Sequence, residues 1–253
     1  MKARSENLVS NVEPICLKPV IASSTQPSSL LSDVCCQDVD AVVTNNRANT
    51  TQDSGTNKAL QQSSTVSGYQ APLPPNGGLD LKVGILTVSD RASKNEYTTG
   101  DLSGPAVDRA VENNIKILNG NSSTGVITCE VTEKSIVPDD VDKIGEILKQ
   151  WSGKGSKSES CNLIFTTGGT GFAPRDVTPE ATLAVLDCEC RGLMSWVINE
   201  CTAEQPLATL SRGTAGICGK SIIVNLPGNP RGVSQVMNLL FPLLVHAVKD
   251  MST

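Results

Sequence analysis

The chain has 253 residues, 38% of them apolar and only 3% aromatic, and a formal net charge of −5. This length permits one or two domains, and any core must be aliphatic. The acidic balance argues against a general nucleic-acid binder, which normally presents a basic patch, and no apolar run is long enough to cross a bilayer, so no membrane span is expected.

The N-terminus, MKARSENLVSNVEPICLKPVIASS, has two early basic residues, but Glu13 and two prolines break its apolar stretch and make it a poor secretory signal. Residues 1–80 are crowded with Ser, Thr, Asn and Gln, hold a single aromatic, Tyr69, and close in APLPPNGG. Such a segment buries too little apolar surface to offset its ordering entropy. It reads as a disordered leader or linker, with the folded domain over 81–253.

From Leu81 the pattern changes. LKVGILTVS is a near-continuous apolar run, the mark of a strand covered on both faces. A polar loop over 90–103 follows, and Gly104-Pro105 opens a helix carrying Val107, Ala110, Val111 and Ile115 at helical spacing. The stretch 117–124, ILNGNSST, reads as an inserted loop away from any site, and 125–132 as a second strand. Pro138-Asp139-Asp140 starts a helix with Val141, Ile144, Ile147, Leu148 and Trp151 along one face. A flexible turn over 153–160 leads to a third strand, 162–167, which ends in Gly168-Gly169-Thr170-Gly171. Thr178 caps the next helix, which runs through ATLAVL. A helix over 193–201, a strand over 220–225, the turn Pro227-Gly228-Asn229-Pro230 and a last helix over 231–249 complete the chain.

Strands alternating with helices imply an α/β fold, a mostly parallel sheet with helices on both faces. In such sheets ligands bind beyond the carboxyl ends of the strands. Three loops that follow strands, at 89–90, 166–176 and 226–230, are therefore expected at one edge.

The glycines of TTGGTG let backbone N–H groups approach an anion, although a tight turn explains them equally well. Downstream, Arg175 and Asp176 precede a helix start, where free N–H groups and the dipole favour phosphate. Asp176 suits Mg²⁺, and alternatively an N-terminal loop cap. Asp139 and Asp140 read by default as helix caps, and Asp90 as a turn cap or a polar ligand contact. Ser211-Arg212-Gly213-Thr214 is either a surface loop or a closure over a phosphate or purine. LPGNP fixes a rigid turn that exposes backbone groups.

Nine cysteines, at 16, 35, 36, 129, 161, 188, 190, 201 and 218, include a CxC but no CxxC, and His246 is the one histidine. That argues against zinc and for reduced thiols in a cytoplasmic protein.

TVSDRAS at 87–93, SGP at 103–105, VPDD at 137–140, TTGGTGFAPRDVTPEAT at 166–182 and LSRGTAGICGKSIIVNLPGNP at 210–230 together resemble the molybdopterin adenylyltransferase family. This family comprises MogA-like and MoaB-like proteins and the G domains of gephyrin and its relatives. The resemblance implies a three-layer α/β sandwich, usually a homotrimer, that uses MgATP to adenylylate molybdopterin and release pyrophosphate. It also implies hand-over to a molybdate-insertion domain or protein, for which the polar leader would suit a linker. By motif, the catalytic aspartates fall on Asp139 and Asp176, with Asp176 the choice for Mg²⁺ and Asp139 positioning metal or substrate. The nucleotide and substrate contacts fall on Asp90, Ser103, Gly168, Gly169, Thr170, Gly171, Arg175, Ser211, Arg212, Pro227, Gly228 and Asn229. Two other readings stand beside the enzyme: a non-catalytic trimeric molybdopterin-binding scaffold and a generic nucleotide-binding regulator.

Overall fold

The computed structural model describes residues 78–252, apart from positions 97, 99, 121–125 and 155–159. The expected leader falls outside these residues up to position 77. Its last residues are already folded: strand β1, Leu79–Val88, begins two residues before Leu81, and Leu79 is buried.

A four-residue turn of helix, α1 (Asp90–Ser93), follows β1, with Ser89 as its N-cap. Helix α2 (Ser103–Gly120) then leads to β2 (Ile127–Val137), and α3 (Val141–Trp151) to β3 (Leu163–Thr167). The short α4 (Thr178–Leu183) is followed by β4 (Cys188–Glu189), α5 (Arg191–Thr202) and a 3₁₀ turn over Pro206–Leu210. The chain ends with β5 (Ala215–Cys218), β6 (Ser221–Leu226) and α6 (Pro230–Met251).

Residues 117–120, expected in a loop, are the last turn of α2. The reason is Asn119, whose side-chain nitrogen donates to the Ile127 carbonyl and whose oxygen accepts from the Ile127 N–H, both at 2.9 Å. This pair ties the helix end to the first residue of β2. β2 also runs five residues past the expected Thr132, pairing with β1 on both sides of a register shift at Thr132. Its exposed side chains hide the strand from a hydropathy reading.

The six strands lie in the order β2-β1-β3-β6-β5-β4. β2, β1, β3 and β6 are mutually parallel, while β5 and β4 are antiparallel to their neighbours. The period-2 alternation of strands divides the core into two layers. Leu81, Val83 and Ile85 of β1, with Leu163 and Phe165 of β3, face α2, α5 and α6. Leu86 and Val88, with Ile164 and Ile223, face α3 and α4. In the first layer Phe165 and Phe241 stack with ring centroids 6.4 Å apart. The result is a three-layer α/β sandwich with a mostly parallel sheet.

Helix α6 is 22 residues long and, by length and composition, apolar enough to cross a bilayer. Its apolar residues, Val233, Met237, Leu240, Phe241 and Leu244 among them, are instead buried in the core.

Candidate active site

Three parallel strands, β1, β3 and β6, end side by side, and the loops that leave them touch. The Gly168 N–H donates to the Leu226 carbonyl at 3.4 Å, and Thr167 Oγ1 donates to the Pro227 carbonyl at 2.8 Å. The 166–176 and 226–230 loops therefore meet as expected, and the end of β1 joins them through Val88, which lies against Gly168 and Gly169.

Gly168 and Gly169 both adopt left-handed backbone, with φ of 95° and 61°. A Cβ on Gly168 would lie 2.3 Å from the Val88 carbonyl oxygen, and one on Gly169 would lie 2.4 Å from Thr178 Oγ1 and 2.8 Å from Asp139 Oδ1. The turn thus passes too close to β1 and to Asp139 for any side chain. A Cβ on Gly228 would lie 3.3 Å from Gly168 Cα.

Asp139 and Asp90 hold each other. The Asp90 N–H donates to Asp139 Oδ2 at 2.9 Å, and the Asp139 N–H donates to Asp90 Oδ1 at 3.2 Å. Burial pushes the Asp139 carboxyl above its ordinary value, the Asp90 N–H opposes that, Asp90 and Asp176 raise it further, and Arg175 lowers it. Asp140 is the cap of α3, accepting from the N–H groups of Asp142 and Lys143 at 3.1 and 3.0 Å. The two adjacent aspartates therefore divide the work: Asp140 starts the helix and Asp139 faces the glycine turn.

Asp176 closes a small loop of its own, its Oδ2 accepting from the Ala173 N–H at 3.0 Å. A Cβ on Gly171 would lie 2.8 Å from that same oxygen. Arg212 fixes the loop from outside. Its N–H donates to the Thr170 carbonyl at 2.9 Å, Nε to the Gly171 carbonyl at 2.7 Å and Nη2 to the Asp176 carbonyl at 2.6 Å, while Nη1 pairs with Glu180.

Several expected contacts are spent on structure. Arg212, read as a surface-loop cation or as a phosphate or purine contact, clamps the glycine loop. Ser103 is buried, and its hydroxyl donates to Asp101 at 2.9 Å. Asn229 caps α6 through the Arg231 N–H. Thr178 caps nothing: it is the first residue of the six-residue α4, and its N–H and hydroxyl go to the carbonyls of Gly169 and Gly168 at 3.1 and 2.9 Å. One N–H of that helix start is thus taken by the loop itself. Ser211 is half-buried, with Oγ 3.4 Å from the Gly213 N–H, and Arg175 is exposed.

The sequence reading missed two residues. Asp101 accepts from Thr87 Oγ1 at 2.7 Å and from the N–H groups of Ser103 and Gly104, anchoring α2 beside the end of β1. Its signal was present as an acidic residue just ahead of Ser-Gly-Pro. Asn225 is buried beneath the site, donating to Thr166 and Thr182 at 2.9 Å and accepting from the Thr214 N–H at 3.1 Å. A single polar residue inside the strand SIIVNL was its only trace.

Cys129, Cys161, Cys188, Cys190, Cys201 and Cys218 are free, and burial pushes Cys129 up to about 11. Among the described residues no three His, Cys, Asp or Glu side chains gather closely enough to hold a metal ion alone.

A family described as "Probable molybdopterin binding domain" matches residues 84–246. The molybdenum cofactor synthesis protein cinnamon of Drosophila melanogaster is 38% identical over 168 residues, covering 66% of this chain and 25% of that protein. The chain thus spans about a quarter of that relative's length. Molybdopterin adenylyltransferase of Helicobacter pylori (strain J99) is 35% identical over 168 residues, 66% of this chain and 86% of the enzyme. Among solved structures, the molybdopterin biosynthesis enzyme MoaB of Thermus thermophilus superposes with a TM-score of 0.57 at 35% identity, covering 68% of this chain and 96% of that one.

Proposed function

Because this chain belongs to the probable molybdopterin binding domain family, we propose that it is a molybdopterin adenylyltransferase of molybdenum cofactor biosynthesis. It takes AMP from ATP onto the terminal phosphate of molybdopterin and releases pyrophosphate. One observation carries the reading: Asp139 abuts the left-handed Gly169 and Asp176 abuts Gly171 of the same glycine loop, at the carboxyl edge of the sheet. This is the edge where open α/β sheets bind ligands. Relatives that bear the name molybdopterin adenylyltransferase support the reaction.

The attacking group is an oxygen of the molybdopterin phosphate. It bonds to the α-phosphorus of ATP as the bond from that phosphorus to the β-bridging oxygen breaks, and that oxygen leaves with pyrophosphate. No protein nucleophile is required, so catalysis rests on positioning and charge neutralisation. The glycine turn brings backbone close to the phosphates, and Arg212 keeps it in that shape. Asp139, held by Asp90, positions the reacting phosphates or the metal.

The donor set suits Mg²⁺, a hard cation that binds one or two carboxylates together with substrate phosphates rather than an all-protein cage. Asp176 would hold it, and the ion would supply neutralisation of the phosphate charge. The protein works as a homotrimer in the cytoplasm and passes its product to a molybdate-insertion domain or protein. The free thiols support the compartment. The much greater length of the cinnamon protein leaves room for a fused second domain.

The test is pyrophosphate release from MgATP by the purified chain with and without molybdopterin. Release only when molybdopterin is present is expected, with loss in Asp176→Ala. Unchanged release by Asp176→Ala would sink the proposal.

A further inference from the structure

Phe172 has no place in the mechanism above and none in the core. At 69% it is the most exposed large apolar side chain among the described residues, whereas Phe165, Phe241 and Trp151 are buried. A ring on a loose loop could fold back against the surface. The Phe172 loop is not loose, because its backbone is pinned on both sides. Before it, the Gly171 carbonyl accepts from Arg212 Nε at 2.7 Å; after it, the Ala173 N–H donates to Asp176 Oδ2 at 3.0 Å. The same Asp176 carboxylate lies where a Gly171 side chain would be. The fold therefore carries an exposed aromatic side chain on a pinned stretch of backbone, in the loop closed by the residue assigned to phosphate chemistry.

We propose that Phe172 is the stacking platform for the planar heterocycle of a phosphate-bearing substrate, a purine or a pterin. The proposal rests on the functional reading above and deepens it. From Gly169 to Phe172 the chain spans at most roughly 10 Å. A ligand held by its phosphate at the glycine turn can thus lay its ring on Phe172. Stacking on an aromatic side chain tolerates any flat ring because it reads the π-face and not a hydrogen-bond pattern. Specificity between the two rings then falls to the polar groups of the neighbouring loops.

The test uses the whole chain with Phe172→Ala and Phe172→Trp, titrated separately with MgATP, molybdopterin and magnesium tripolyphosphate, which has no ring. Phe172→Ala should weaken one ring-bearing ligand by roughly 5- to 100-fold and leave tripolyphosphate unchanged. Phe172→Trp should restore the affinity, and its emission should be quenched by that ligand. Whichever titration moves, MgATP or molybdopterin, identifies the ring. Unchanged affinity of Phe172→Ala for both ring-bearing ligands would overturn the proposal. So would equal weakening of tripolyphosphate, which would mean that the loop had collapsed. A change in the assembly's mass on size exclusion would overturn it as well, assigning the ring to a subunit contact. A wild-type chain that binds tripolyphosphate but neither ring-bearing ligand would refute both this inference and the adenylyltransferase reading. Wild-type affinity that is normal but insensitive to Phe172 refutes the inference alone.

Discussion

Arg212 offers the sharpest test of how the site is held. In Arg212→Ala the carbonyls of Gly171 and Asp176 lose charged donors at 2.7 and 2.6 Å. Such bonds contribute about 1.5–3 kcal/mol each. The guanidinium side chain is 31% exposed, so the lower end applies, giving a loss of about 3 kcal/mol for the pair. The ion pair with Glu180 adds little, since Glu180 is 52% exposed and such pairs give about 0–1 kcal/mol. Arg212→Lys keeps the charge but cannot serve two carbonyls with one planar fork, and should recover less than half of the loss. Urea unfolding of Arg212→Ala, Arg212→Lys and Glu180→Gln measures the ordering, and MgATP titration of each reports the glycine turn. Weakened binding in Arg212→Ala with a near-normal Glu180→Gln is expected. If Glu180→Gln cost as much as Arg212→Ala, the residue would be an ion-pair partner and the clamp would be wrong.

Three further outcomes concern two residues of the site edge and one of the core. Burial raises the folded-state carboxyl of Asp139 above its unfolded value, so the folded state binds the extra proton and stability falls as pH rises through that range. Asp139→Asn should therefore melt higher than wild type at neutral pH, converge with it in acid, and lose adenylylation by roughly 10²- to 10³-fold, as seen when a transition-state contact is removed. Melting curves from pH 3 to 8 and initial rates check both. Asp140→Ala should cost about 1 kcal/mol through its lost cap while leaving the rate intact, the reverse of its neighbour. Phe241→Ala, which empties one side of the stacked pair in the core, should cost about 3–5 kcal/mol in chemical denaturation with binding preserved in the folded fraction.

What could be read in the sequence was whatever depends on near neighbours. The apolar runs of β1, β3 and β6 announced buried parallel strands, and three distinctive loops after them located the site's edge. What could not be read depends on partners far along the chain. Arg212 looks like a free cation until the Gly171 carbonyl, 41 residues away in sequence, is beside it. Asn225 looks like a stray polar residue in a strand until Thr166 and Thr182, 59 and 43 residues away, accept from it. Asp139 and Asp140 are indistinguishable as neighbours; only the turn at Gly169 separates their roles. Asp101 is different, because its signal is local: an acidic residue just ahead of Ser-Gly-Pro.

The bond from Thr167 to the Pro227 carbonyl joins residues 60 apart, and the Asp90–Asp139 pair joins residues 49 apart. Contacts of such separation form slowly, because loop-closure entropy must be overcome before they are rewarded. The helices of this domain can appear early in refolding, yet the glycine turn has no left-handed shape to keep until β6 docks beside β3. Ligand competence should thus be the slow kinetic phase, lagging behind the recovery of helical circular dichroism. Simultaneous recovery of the two signals would contradict this order. Gly168 is then a late reporter of native topology, and a chain arrested before β6 pairs would be helical and inert.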